Sequence, residues 1–122
     1  VVEIGGGAVP PAIFLGDLGA TAQRALLRSG GMSSGLQVVK VSHHGSGDQD
    51  PGLYRRIGAV IGLVPVGAGN SYGHPRDTAL ALLAAAGTTV VRTDTDGMAA
   101  VSEVDGRLVV WHAGTRDVDG PR

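Results

Sequence analysis

A chain of 122 residues with 43% hydrophobic and 17% charged side chains is sized for one domain with a real core, which excludes a disordered tract. Ten basic against eleven acidic residues give a net charge of −1, and without a long basic run the chain lacks the cationic footprint of a protein that coats nucleic acid. There is no cysteine, which excludes disulfides and thiolate zinc sites, and no run of about 18 apolar residues to span a bilayer.

Aromatic residues make up only 3% of the chain, so the core has to be built from Val, Leu, Ile and Ala, and 21 glycines between short apolar runs signal tight turns. Val1 to Ile4 reads as a strand entered in its middle, so the chain is expected to be a piece of something longer. These first residues carry no charged n-region or cleavage pattern. Gly5 to Pro11 reads as a loop, and Ala12 to Leu15 as a strand ending at Gly16-Asp17. Gly19 to Ser29 has helical periodicity, with Ala22, Ala25, Leu26 and Leu27 on one side and Gly30-Gly31 as the stop. Leu36 to Val41 is β-rich and leads into His43-His44, and Pro51 to Ile57 suits one or two helical turns.

Ala59 to Val66 is a nearly continuous apolar run, the mark of a strand buried on both faces, with Pro65 near its end. Gly67 to His74 is a loop. Pro75 to Ala86 is the clearest helix, with Pro at its first position, Asp77 in its first turn and Gly87 just beyond. Strands are predicted at Thr88–Arg92, Met98–Glu103 and Leu108–His112, joined as a meander by the Asp96-Gly97 and Asp105-Gly106 turns. The whole is a layered α/β domain over residues 1–113, followed by a polar tail at 114–122.

Chemistry concentrates at the strand ends. Asp17 sits where a strand gives way to a helix, placed either to cap the helix or to hold a divalent cation; the histidines downstream move metal ligation ahead. If the strand continues through them, His43 and His44 point to opposite sides and Lys40, Ser42 and His44 share a face. One imidazole then suits a zinc- or manganese-type ion while the other hydrogen-bonds a substrate oxygen or orients its neighbour. The competing reading is two surface histidines in a loop with Gly45, Ser46 and Gly47. Lys40 is either an anion-neutralising cation or a solvated strand-end lysine. Asn70, Tyr72 and His74 lie in a glycine-rich loop close to a helix start, where an anion is favoured; the alternative is that His74 caps the helix and Tyr72 packs. The two carboxylates of Thr93-Asp94-Thr95-Asp96-Gly97 read most simply as a hairpin turn, and Asp48 and Asp50 as a solvated loop.

Taken together, FLGDLG, KVSHHGS, VGAGNSYGHP and VVRTDTDG, in that order from Val1 to about Leu108, resemble the metallo-β-lactamase-fold domain at the C-terminus of ComEC-type competence proteins. Ser42 stands where that family often has Pro. The early His-x-His-x-Asp-His motif of that fold has no counterpart here, so the resemblance is to the second half of the αββα sandwich, with two main helices and the terminal meander.

The resemblance implies that Asp17 and His44 are metal ligands. It makes His43, Lys40 and His74 catalytic, and Asn70, Tyr72 and Ser46 substrate-binding. It also implies two ions, zinc or manganese, in a complete domain that hydrolyses phosphodiesters during DNA uptake. The parent would be embedded in a bacterial cell membrane, with this domain on the extracytoplasmic side. A related phosphoesterase acting on a small or cell-wall substrate is one alternative, and a non-catalytic interaction module another. A half-sandwich leaves an apolar sheet face open, so self-association by strand or half-domain exchange is expected, and this piece alone is expected to be inactive.

Overall fold

The computed structural model describes residues Val1–Ala113; the expected polar tail lies outside the described residues. Strands β1 (Val2–Gly6) and β2 (Val9–Phe14) form an antiparallel hairpin, followed by α1 (Ala20–Ser29), β3 (Val38–Lys40), α2 (Pro51–Ile57), β4 (Ile61–Val64), α3 (Asp77–Ala85) and β5 (Thr89–Arg92). A single helical turn α4 (Thr93–Asp96) leads into the hairpin β6 (Ala99–Val104) and β7 (Arg107–His112). The main sheet has the order β1-β2-β3-β4-β5, with every pair from β2 to β5 parallel. Parallel strands laid side by side in chain order, each joined by a right-handed crossover, put all their helices on one face.

That face carries the larger core, in which Ile13, Leu15, Val39, Val41 and Val64 meet Leu53, Tyr54, Ile57 and Leu83 from the helices. The opposite face is covered by the β6–β7 hairpin, whose Ala99, Val101, Leu108 and Val110 pack on Ala12, Val38, Ile61 and Val91. Cover is thin toward the β1 edge, where Ile4, Val9 and Phe14 stay exposed. Among the described residues no helix is long and apolar enough to cross a membrane.

The α/β class expected from the sequence is the one observed, with several local differences. Val9, Pro10 and Pro11 belong to β2 rather than to a loop. They fit because pairing with β3 begins only at Ala12, and the Pro11 carbonyl accepts from Gln37 N–H without needing a proline donor. The expected meander does not form: β5 pairs with β4 in the main sheet, and the α4 turn separates it from the hairpin. Helix α2 takes the bounds expected for the short helix at Pro51–Ile57. Helix α3 starts at Asp77 with Arg76 as its N-cap, leaving Pro75 ahead of it in a cis peptide with His74.

Candidate functional site

Parallel strands deliver their carboxyl ends to one edge of a sheet, and the loops leaving that edge are where α/β proteins assemble sites. Asp17 follows β2, His43 and His44 follow β3, and the loop from Gly67 to His74 follows β4. Asp17, His43, His44, Tyr72 and His74 converge there on a single cavity of about 260 Å³. The His43 ring lies 5.5 Å from that of His74, edge-on at 76°, and 6.4 Å from that of His44. The Tyr72 ring stacks on His74 at 5.9 Å and 28°.

The expected strand through the histidines is not what forms. The sheet stops at Lys40, and Ser42–Gly45 closes a tight turn in which His43 (φ 48°, ψ 45°) and His44 (φ 54°, ψ 28°) are left-handed. Strand alternation therefore does not govern which way these rings face. Two consecutive non-glycine residues in this region cost about 1–2 kcal/mol each, so the surroundings must hold them. His43 N–H donates to the Gly16 carbonyl at 2.9 Å, which ties the histidine turn to the Asp17 turn. Ser46 N–H closes onto the His43 carbonyl at 3.0 Å, and Arg76 N–H donates to the Gly45 carbonyl at 2.8 Å. Gly45 has φ 81°, and a Cβ there would lie 2.6 Å from Pro75 Cβ, so only glycine lets the two motif segments touch.

Beneath the turn runs a buried polar network. Gln49 Nε2 donates to the carbonyls of Ser42 at 2.9 Å and Ser46 at 3.1 Å. Its Oε1 accepts from the Tyr54 hydroxyl at 2.6 Å and from Gln23 Nε2 at 2.8 Å. The Tyr54 oxygen in turn accepts from Ser42 N–H at 3.2 Å, the Ser42 hydroxyl donates to the Leu18 carbonyl, and Gln23 Oε1 accepts from Asp50 N–H at 2.7 Å. Burial pushes the Tyr54 pKa up to about 12, the Ser42 amide offsetting part of the rise. The phenol thus stays protonated and keeps donating to Gln49.

His44 makes the most informative single contact. Its Nδ1 lies 2.6 Å from the Pro65 carbonyl oxygen. A carbonyl only accepts, so Nδ1 carries the proton and the neutral ring has its lone pair on Nε2. Fixing one nitrogen by a backbone carbonyl leaves the other oriented as a ligand, as in metal-binding histidines. Beside it, partial burial first, and then electrostatic repulsion from His43, Arg76 and His44, lowers the pKa of His74. Among the described residues no group of three or more His, Asp or Glu side chains is arranged to hold a metal ion. The donor chemistry of His44 fits an ion, but a full coordination sphere needs ligands beyond this cluster.

The remaining sequence candidates have other places. Asp17 is not a helix cap: the N-cap of α1 is Gly19, and Asp48 accepts from Ala20 N–H at 3.2 Å. Lys40 does not line the histidine cavity; its ammonium meets the Gly16 carbonyl at 3.4 Å. Asn70 staples its own loop, donating to Gly67 and His74 carbonyls at 3.1 and 2.7 Å and accepting from His74 N–H at 3.1 Å. Its amide positions His74, and Asn70 also lines a cavity with His44, Tyr72 and His74.

Ser46 is buried against Asp48 and Gln49, at the wall of a neighbouring cleft of about 670 Å³ that also touches His43, Arg76 and Asp77. Asp50 is the N-cap of α2, accepting from Leu53 N–H, so neither it nor Asp48 is simply solvated. Asp94 is paired through both oxygens with Arg92, which lowers its pKa, and Asp96 accepts from Arg92 N–H. The 93–97 segment is thus a self-satisfied turn, helical instead of a hairpin. No protein-family model, curated protein or solved structure matches this chain.

Proposed function

We propose that this chain is the second half of a metallo-β-lactamase-like domain, and that its histidine cluster serves metal-dependent phosphodiester hydrolysis, DNA during uptake being the substrate class the motifs favour. The observation that carries the reading is the 2.6 Å bond from His44 Nδ1 to Pro65, which leaves Nε2 as a lone-pair donor on the same cavity as Asp17. Asp17 and His44 would hold a divalent ion, zinc or manganese, which when bound supplies charge neutralisation and an activated water. His43 and His74 flank the cavity and offer N–H donors to phosphate oxygens, while Lys40 adds positive charge behind the Asp17 turn. The lowered pKa of His74 favours the neutral ring at pH 7, so it donates through one nitrogen only. Among the described residues fewer than three ligands converge, so in this reading the chain alone is inactive and the first half of the domain completes the site. In this reading the parent is a bacterial membrane protein and the domain faces the extracytoplasmic side.

The test is a manganese titration followed by NMR, beside zinc as the diamagnetic control. Paramagnetic broadening is expected first at His44 and Asp17, and it should vanish in Asp17→Ala and His44→Ala. Broadening that spares the cluster and falls on surface carboxylates would overturn the metal reading. A second reading, a non-catalytic anion-binding module, is favoured by the same shortage of ligands. It requires inorganic phosphate to bind the cluster equally well with and without a chelator.

A further inference from the structure

His44, Tyr72 and His74 line two cavities, the one shared with Asp17 and an adjoining one of about 290 Å³ whose remaining wall includes Pro65, Val66 and Gly67. Among the described residues no carboxylate, lysine or arginine lines the second cavity. Its wall is braced: the Thr93 hydroxyl accepts from Val66 N–H at 2.7 Å and donates to the Val66 carbonyl at 2.8 Å. The Asn70 amide is used up within the loop, so the pocket presents mainly apolar surface, with imidazoles only along the edge it shares with the cluster. Tyr72 is 74% exposed although its ring stacks on His74. A large aromatic left open at the mouth of an apolar pocket offers a flat face for stacking.

The other flank of the cluster differs in kind. The larger cleft beyond His43 is polar and carries both signs, with Arg76 beside Asp48 and Asp77. A substrate held at the histidines therefore meets an apolar slot on one side and a hydrophilic groove on the other. The geometry points to a nucleobase subsite in the apolar slot: the base lies against Tyr72 and the Pro65–Gly67 wall while its own phosphate reaches the histidines. The volume is at the small end of ligand pockets, which run from about 300 Å³ upward, and suits one ring system, not a peptide. The substrate class becomes a nucleotide unit with its base unpaired, because a base inside a duplex has no free face to stack. This inference rests on the phosphoester reading of the cluster, but the pocket can be probed without metal or phosphate.

The experiment is an amide NMR titration of the full chain with thymidine, thymidine 5′-monophosphate and inorganic phosphate, in chelator. Thymidine is expected to shift Val66, Gly67 and the Tyr72 region, and inorganic phosphate only the surroundings of His43 and His74. Tyr72→Ala should weaken thymidine binding about tenfold, the size of a base–aromatic stack, and Tyr72→Phe should restore it. Gly67→Leu fills the slot from a position with open space around its Cβ and no positive φ. It should abolish thymidine binding while leaving the response to inorganic phosphate unchanged. Failure of thymidine to shift the slot, or equal loss of thymidine and phosphate binding in Gly67→Leu, would overturn the subsite. If thymidine binds as expected while manganese ignores the cluster, the base subsite stands and the metal reading falls.

Discussion

Replacing Tyr54 by Phe removes one oxygen from the buried network and leaves the ring's packing in place. Two bonds are lost: the hydroxyl no longer donates to Gln49 Oε1 or accepts from Ser42 N–H. Gln49 Oε1 keeps Gln23 as a donor, so that loss is the small one, about 0.5–1.5 kcal/mol. Ser42 N–H is stranded in a buried position, which costs about 1–3 kcal/mol. The sum is about 1.5–4.5 kcal/mol, or a fall in Tm of about 6–18 °C for a domain of this size. Chemical denaturation at pH 7 measures it, and exchange of the Ser42 amide reads the local effect.

A second signature separates this from general weakening. The Tyr54 pKa is raised from about 10 to about 12 in the folded state, so folding favours the protonated phenol. That contribution is fully present below pH 10 and is lost as pH rises through 12. The wild type should lose stability relative to Tyr54→Phe across this window. A change below about 0.5 kcal/mol at neutral pH, with Ser42 exchange unaltered, would refute the claim that the network holds the histidine turn.

Gly45→Ala combines a left-handed φ with a 2.6 Å approach to Pro75, and it should cost about 2–5 kcal/mol in a denaturant melt; a neutral outcome would mean that the two segments are not clamped. His74 should titrate below the ordinary histidine value in an NMR pH series, because burial and then His43, Arg76 and His44 disfavour its cation. With its folded pKa depressed, its contribution to stability is present above the unfolded value and fades as pH falls through the folded one. Removing the neighbouring charge in His43→Ala should move the midpoint upward, and no movement would leave the lowering to burial, Arg76 and His44. The exposed Ile4, Val9 and Phe14 lead us to expect a mass that rises with concentration in sedimentation and falls back in Phe14→Ser. A monomer at every concentration would contradict it.

Strand ends in Gly-Asp and His-His were enough to bring Asp17, His43, His44, Tyr72 and His74 to one sheet edge. Apolar runs and turn residues mark the ends of parallel strands, and those ends necessarily lie together. The local shape of the turn was not legible, because alternation carries no information once the backbone leaves the β region. The crowding of Gly45 and Gly47 behind the histidines was the available hint of positive φ. The supporting network was missed for a different reason. Gln23 lies on the same helical stripe as Leu26 and Leu27, yet a polar residue there reads as solvent-facing unless a buried partner is known. Its distant partners, the Gln49 side chain and the Asp50 amide, are 26 and 27 positions away, a distance over which composition and periodicity say nothing.

Asp48 reaches back to the first amide of α1, and a Cβ on Gly19 would overlap its carboxylate. The segment just after the histidines thus docks on the segment just after Asp17, and the His43–Gly16 bond joins the same two pieces at a second point. With the Ser42 hydroxyl also donating to the Leu18 carbonyl, these fastenings make the walls a single stationary jaw. The opposing jaw, from Gly67 to His74, is fastened to itself through Asn70, while the residues at its two ends are held to Thr93 through Val66 and to the histidine turn through Pro65 and Arg76. A ligand that needs room can enter by displacing the middle of that second jaw between its anchored ends, so the amides there should exchange soonest and the sequence there should accept insertions that the first jaw would reject.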